Sequence, residues 1–226
     1  MRDVLRHLRD RIVRPTDHGV IFSRIHRENV WGDAESASGP GSTRARAADF
    51  LDDLVATLRE LEVRVLLDAA CGDFNWAGPV ADAVERYIGV DVVPDLVAAN
   101  RLRHAGPRRE FLRLDLTRDA LPAADAVLCR DCLVHFSFAD AWAAIRNVQR
   151  SDARYLIATT FVDRPHNAEA RTGWWRALNL EAAPFHFPRP LRVIDERCTG
   201  AGGRYRDKRL GVWPLEDLAR HLDRRP

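Results

Sequence analysis

The sequence predicts an α/β domain: an open, mostly parallel twisted sheet with helices on both faces and an antiparallel last strand. Three observations point there. Short runs rich in Val, Ile and Leu alternate with helix-period segments from Val63 to Phe161. The first of these runs, "VLLDAACGDFNW", enters a turn through tiny side chains, as a strand making room for a ligand would. Three runs also end on an acid, Asp68, Asp91 and Asp115, each one strand–helix–strand unit after the last.

The elements follow in order. "MRDVLRHLRDRIVRP" sets Val4, Leu5, Leu8, Ile12 and Val13 at helical spacing, which predicts an amphipathic helix packed on the body. It has no apolar central region, so a secretory signal is not expected. "WGDAESASGPGSTR", Trp31 to Arg44, reads as an irregular segment feeding a helix whose apolar face is Phe50, Leu51, Leu54, Val55, Leu58 and Leu61. The first strand is expected over Val63–Asp68, followed by a helix through Val80 and Val84, and the second strand over Arg86–Val92. Pro94 is placed to start a helix that stops at Gly106. "EFLRLDL" supplies a third strand ending near Asp115, "DAVLCRDCLV" a fourth and "ARYLIATTF" a fifth. Ser137 with Asp140 forms a capping pair for the helix between the last two. Beyond Val162 come an aromatic, proline-rich stretch and two late strands, near Leu191–Asp195 and Leu210–Trp213, joined by the glycine-rich "CTGAGGRY" as a hairpin loop. One domain is expected over 1–226, with 1–62 as N-terminal helices and cover, 63–161 as the binding core and 162–226 as an acceptor lid and final strands.

Composition narrows the function classes. A chain of 226 residues, 46% hydrophobic and with a formal charge of +2, describes a soluble globular protein with length enough for a real core. So small a basic excess argues against nucleic acid as a partner. Lys208 is the only lysine, so the positive charge is almost all arginine. No apolar run reaches the roughly 20 residues that span a bilayer, which excludes a membrane partner. Cys71, Cys129, Cys132 and Cys198 are too few for a disulfide scaffold, and a reduced cytoplasmic compartment fits best.

In such sheets ligands sit beyond the carboxyl ends of the strands. An acid ending the second strand suits the two vicinal hydroxyls of a ribose, which points to a nucleoside cofactor. The first loop argues against a dinucleotide, because Gly72 stands alone where G-x-G-x-x-G would be needed and Asp73 would repel a phosphate. A nucleoside without phosphates and with a cationic centre fits better, and S-adenosylmethionine has both properties.

On these stretches the sequence resembles the class I S-adenosylmethionine-dependent methyltransferases, whose fold is Rossmann-like. "LLDAACGDFNW", "YIGVDVVPDLV", "FLRLDL" and "AVLCRDCLVHF" are similar to the family's successive signatures, from about Val63 to Phe161. The first departs from D/E-x-G-x-G-x-G by carrying alanine and cysteine for two glycines. The resemblance implies that Asp68, Ala70 and Gly72 line the methionine end of the cofactor. It implies Asp91 on the ribose with Val92 against adenine, and Asp115 accepting from the adenine amino group with Leu116 packing nearby. The backbone around Arg130 would close the pocket under the sulfonium, and Trp31, Ser42 and Thr43 would cover it from the N-terminal side.

In this family the end of the fourth strand faces the methyl group, and here it reads "CRDCLVHFS". Asp131 and His135 are one turn apart if the chain becomes helical there. His135 suits a general base near neutral pH. Asp131 would orient it or ligate a divalent metal such as Mg²⁺. Cys129 and Cys132 with His135 raise a zinc reading, which an extended strand disfavours because residues three apart point to opposite faces. Trp174, Trp175, Arg176, Asn179, Phe185, His186 and Phe187 form the expected acceptor cover. The function expected is O-methylation of a sugar or secondary-metabolite hydroxyl, with N-methylation of a small amine as the alternative. A dinucleotide-dependent oxidoreductase and a non-catalytic cofactor-binding subunit are the readings from other classes. The expected partner is the small acceptor, and a homodimer is admitted.

Overall fold

The structure, a computed structural model, describes residues 17–199 and 201–223; the amphipathic helix expected before Pro15 lies outside them. Seven strands form one sheet: β1 (Val65–Ala69), β2 (Arg86–Asp91), β3 (Arg109–Arg113), β4 (Ala126–Cys129), β5 (Tyr155–Phe161), β6 (Arg192–Asp195) and β7 (Lys208–Pro214). Their order is β3-β2-β1-β4-β5-β7-β6. The first five pair parallel, and β7 runs antiparallel to both β5 and β6.

Side chains alternate across the sheet. Leu67 and Ala69 of β1 join a core on one face and Leu66 joins the core on the other. The second core is covered by α2 (Arg44–Glu60), whose Phe50, Leu54 and Leu58 recur one turn apart and are buried. Each such side chain contributes about 1.5–3 kcal/mol of transfer free energy. The first core is covered by α5 (Phe138–Gln149), which Ser137 caps as expected, its hydroxyl accepting from the Asp140 amide at 3.1 Å. Three further helices, α3 (Gly78–Asp82), α4 (Pro94–His104) and α6 (Leu215–Asp223), complete the layers.

One helix is absent from the sequence expectation. α1 (His18–Arg27) is short and has charged residues on its open side, and its N-cap Asp17 accepts from the Gly19 amide. Two strands also end earlier than expected. β3 stops at Arg113 and β4 at Cys129, so Asp115 and Asp131 stand beyond their strands on turns. Asp131 takes φ +51°, and a single 3₁₀ turn over Leu133–His135 follows it.

The strand order fixes where a site can form. β1 lies between β2 and β4, so the chain's direction of progress reverses between β1 and β4 and leaves a crevice beyond their carboxyl ends. Because β7 is antiparallel, its first residue reaches that same end: Lys208 pairs with Phe161, the last residue of β5. Among the described residues no helix is long and apolar enough to cross a membrane.

Candidate functional site

The crevice is a cleft of about 840 Å³ including its open mouth. Of the residues expected at the cofactor, Ala70, Gly72, Asp91, Val92, Asp115, Leu116, Arg130, Trp31 and Ser42 line it, as do Asp131 and His135.

The β1 loop is shaped by backbone rather than by a run of glycines. Ala70 and Gly72 both take left-handed φ, +66° and +56°. Ala70 holds that conformation with a β-carbon, at a cost of about 1–2 kcal/mol. At Gly72 a β-carbon would fall 2.0 Å from Ser38 Oγ, so the glycine is required by close approach as well as by φ. Cys71, at the other departure from glycine, is buried, and its thiol lies under Gly89 of β2. Asp73 does not face the cleft's ligand side at all. Its carboxylate accepts from the Ser36 hydroxyl at 3.1 Å and the Ala37 amide at 2.8 Å, fastening the N-terminal segment over the loop.

Asp91 ends β2 at the cleft wall. Its oxygens accept from the Gly72 amide at 3.1 Å and the Val93 amide at 2.9 Å, which fixes the carboxylate while leaving lone pairs. Burial pushes its pKa up, and those amides work against the rise. Val92, Leu114, Leu116 and Phe136 supply apolar wall beside it.

Several expected roles are corrected by position. Asp68 is buried behind the loop, where it accepts from the Tyr87 hydroxyl at 2.5 Å, and desolvation raises its pKa to about 6. It does not line the cleft. Neither does Thr43, whose hydroxyl donates to the Pro40 carbonyl. Asp115 lines the cleft, but its carboxylate is already spoken for. It takes His18 Nδ1 at 3.0 Å, the Thr117 hydroxyl at 2.7 Å and the Thr117 amide at 3.0 Å, which leaves little for an adenine amino group. Burial would raise its pKa, yet these partners hold it near about 2.

The expected acceptor cover dissolves into structure. Arg176 and Asn179 are buried among backbone carbonyls, those of Val134 and Ala168 for Arg176 and that of Arg164 for Asn179. They tie the 162–190 segment to the sheet. Phe185 packs on Trp142 and Phe138, and Phe187 on Trp213, within the core. Trp174 is 71% exposed, Trp175 meets Tyr205 edge to face, and His186 sits in a turn at φ +51°. None of these residues lines the cleft.

Beside the cleft at Asp131, residues from four elements instead form a charged cluster. Asp131 Oδ2 accepts from Lys208 Nζ at 2.6 Å, and Arg130 Nη1 lies 3.6 Å away. Arg130 donates to Glu196 Oε2 at 2.6 Å and to the Gly41 carbonyl at 2.9 Å. Its guanidinium lies over the rings of Phe50 and Trp76, 4.6 and 5.0 Å from their centroids. Lys208 also meets Glu196 Oε2 at 3.1 Å. Two cations and two carboxylates thus balance. Burial raises the Asp131 pKa, but Lys208 and Arg130 outweigh it and hold the group near about 2.

Asp131 makes no hydrogen bond to His135, so it does not orient the imidazole as expected. Nor does it suit a metal, because the Lys208 ammonium 2.6 Å from Oδ2 and the Arg130 guanidinium at 3.6 Å would repel a further cation beside the same carboxylate. Among the described residues no group of three or more His, Cys, Asp or Glu is placed to hold a metal ion. The Cys129–Cys132 geometry differs from expectation as well. The turn after β4 leaves both thiols buried near one another, and the neighbouring Cys129 thiol and burial push the Cys132 pKa well up. His135 stacks on Trp31 with centroids 4.7 Å apart, and its Nδ1 is buried without a partner. Burial lowers its pKa to about 4, against the pull of Asp131, so it is a neutral imidazole at pH 7.

Sequence reasoning passed over His18, the Ser36–Ser38 strap, Glu196 and Lys208. A signal existed for the last: one lysine in a chain that otherwise uses arginine for its positive charge.

A family model described as a methyltransferase domain matches residues 66–151. No curated protein matches the chain. Among solved structures, the methyltransferase domain of bacterial CtHen1-CN is similar at 15% identity, over 73% of this chain and 96% of that one, with a TM-score of 0.52. The methyltransferase domain of bacterial CtHen1-C aligns at 16% identity over 50% of this chain and 65% of its own length, just under two thirds, with a TM-score of 0.43. Magnesium protoporphyrin IX methyltransferase from Synechocystis PCC 6803, with bound SAH, aligns at 23% identity over 66% of this chain and 73% of that one, with a TM-score of 0.48.

Proposed function

We propose that the chain, whose residues 66–151 match a methyltransferase domain, is a class I S-adenosylmethionine-dependent methyltransferase and that it methylates a hydroxyl of a small polar acceptor, a sugar or secondary metabolite. The observation that carries the proposal is the buried, unpartnered Nδ1 of His135 in the same cleft as Asp91.

The residues present fit the cofactor. Asp91 offers fixed carboxylate oxygens for the ribose hydroxyls, with Val92, Leu114 and Leu116 as apolar wall for adenine. Ala70 and Gly72 turn backbone toward the methionine end, and the main chain at Arg130 closes beneath it. S-adenosylmethionine, when bound, supplies a methyl group on a sulfonium. The protein's task is to hold the acceptor oxygen in line, keep water out and take one proton. Trp31 and Ser42 shield that end from solvent.

His135 serves as the base. A pKa near 4 makes it a weak one, but the proton it must take is that of a hydroxyl oxygen already gaining a methyl group. That proton is far more acidic than an imidazolium. The same low value favours one second reading, an amine acceptor, which loses its proton to water before transfer. Mass spectrometry of the methylated product decides between them: an O-methyl product supports the hydroxyl reading and an N-methyl product replaces it.

A further inference from the structure

We propose that Asp131 Oδ1 is the specificity-determining contact for the acceptor, that Lys208 is the positioning residue behind it, and that the acceptor class so selected is a neutral vicinal diol. One hydroxyl of the diol faces His135 and its neighbour donates to Asp131. This deepens the methyltransferase reading and rests on it.

Asp131 is held from every side except one. Its amide donates to Thr159 Oγ1 at 2.8 Å. Its Oδ2 takes Lys208 Nζ, and the cover segment packs close enough that a β-carbon on Gly41 would lie 3.1 Å from that same oxygen. Oδ1 is buried and has no partner within the protein, although Asp131 lines the cleft. An ionised carboxylate oxygen only accepts, so what completes it must donate.

Two other residues of the cleft wall, His26 and His135, carry a buried Nδ1 without a partner, and of these His135 Nδ1 is the one near Asp131 Oδ1 along the chain. The two atoms belong to residues joined by one short turn. Each asks for a hydrogen-bond partner, and neighbouring hydroxyls of one acceptor would supply both. The cations nearby are committed, Lys208 to Asp131 and Glu196, Arg130 to Glu196 and the Gly41 carbonyl. A carboxylate or phosphate on the acceptor would therefore meet Asp131 with no free positive group beside it. A neutral pair of hydroxyls meets the site's needs without adding charge.

The test uses the full-length protein loaded with S-adenosylhomocysteine, with glycerol as the diol probe and acetate as the anion probe, read by NMR at the Asp131 and His135 amides. Saturable shifts with glycerol and none with acetate are expected. Lys208→Met should weaken glycerol about tenfold or more, the loss of a well-placed charged contact, and leave the homocysteine cofactor product bound within about twofold. Lys208→Arg should restore part of the glycerol affinity. Acetate binding at these amides, or no saturable glycerol response in protein that binds the cofactor product, overturns the diol assignment. A glycerol response unchanged in Lys208→Met removes Lys208 from its role. Wild-type protein that does not bind the cofactor product at all overturns the methyltransferase reading instead. Should Lys208→Met fail to fold, the wild-type comparison and Lys208→Arg still decide.

Discussion

His18 Nδ1 lies 3.0 Å from Asp115 Oδ2, a contact across 97 residues that pins α1 to the turn after β3. His18 Nε2 also faces Asp140 Oδ2 at 3.3 Å, so the ring is bracketed by two carboxylates.

That bracket makes stability pH-dependent. The hydrogen bond to Asp115, opposed by burial, raises the His18 pKa above its ordinary 6.5. The folded state therefore binds the proton more tightly than the unfolded state does. The contribution is complete below about pH 6.5 and fades as pH rises through the raised folded value. The difference in melting temperature between wild type and His18→Ala should shrink between pH 6 and pH 9. A gap that is constant across that range would assign His18 a packing role only.

Cofactor binding should depend on Asp91. S-adenosylmethionine or its demethylated product should raise the melting temperature, and NAD should not. Asp91→Ala should weaken that binding by about tenfold or more, since hydrogen bonds to a charged acceptor contribute about 1.5–3 kcal/mol each. Calorimetry returning an unchanged dissociation constant would mean that this acid only ties the Gly72 and Val93 amides.

The β1 loop offers a pair of opposite substitutions. Ala70→Gly relieves a left-handed β-carbon and should stabilise by up to about 1 kcal/mol, or roughly 2–4 °C in melting temperature. Gly72→Ala adds one where Ser38 Oγ stands, so it should destabilise the protein and loosen the strap over the cleft. Thermal denaturation of the two variants checks the signs, and a destabilised Ala70→Gly would contradict the strain argument.

His135→Ala should leave cofactor affinity near wild type while lowering turnover about 10²–10⁴-fold, the usual contribution of a positioned base. With the folded pKa near 4, the wild-type rate should be flat from about pH 5 to 8 and fall only as pH drops through about 4. A limb centred near 6.5 would show that the ring is solvated during turnover.

Strands β1, β2, β4 and β5 are legible in the sequence as short apolar runs, and β3 by its Phe111 and Leu112 one strand–helix unit after β2. Asp91, Ala70 and Gly72 are legible for the same reason, since their place depends on where one strand ends. His18 and Lys208 are not. They meet the cleft residues Asp115 and Asp131 by tertiary pairing over 97 and 77 residues, which local spacing does not encode. The aromatic stretch misleads in the other direction. Phe185 and Phe187 have the composition of a binding surface, but burial against Trp142 and Trp213 makes them core. Arg176 and Asn179 look like recognition groups and instead satisfy carbonyls that a segment without strand partners would leave bare.

A chain with a single lysine also has a single bond open to a lysine-specific endoprotease, the one after Lys208. That bond begins β7, in register with the last residue of β5 and next to Asp131 of the cleft. A protease cannot take up this strand in its own cleft while the β5–β7 ladder holds the backbone paired. Cutting yields two fragments and nothing else, so the rate of their accumulation is a one-site clock for opening of that ladder. Ligands that fill the cleft should slow the clock in proportion to their occupancy.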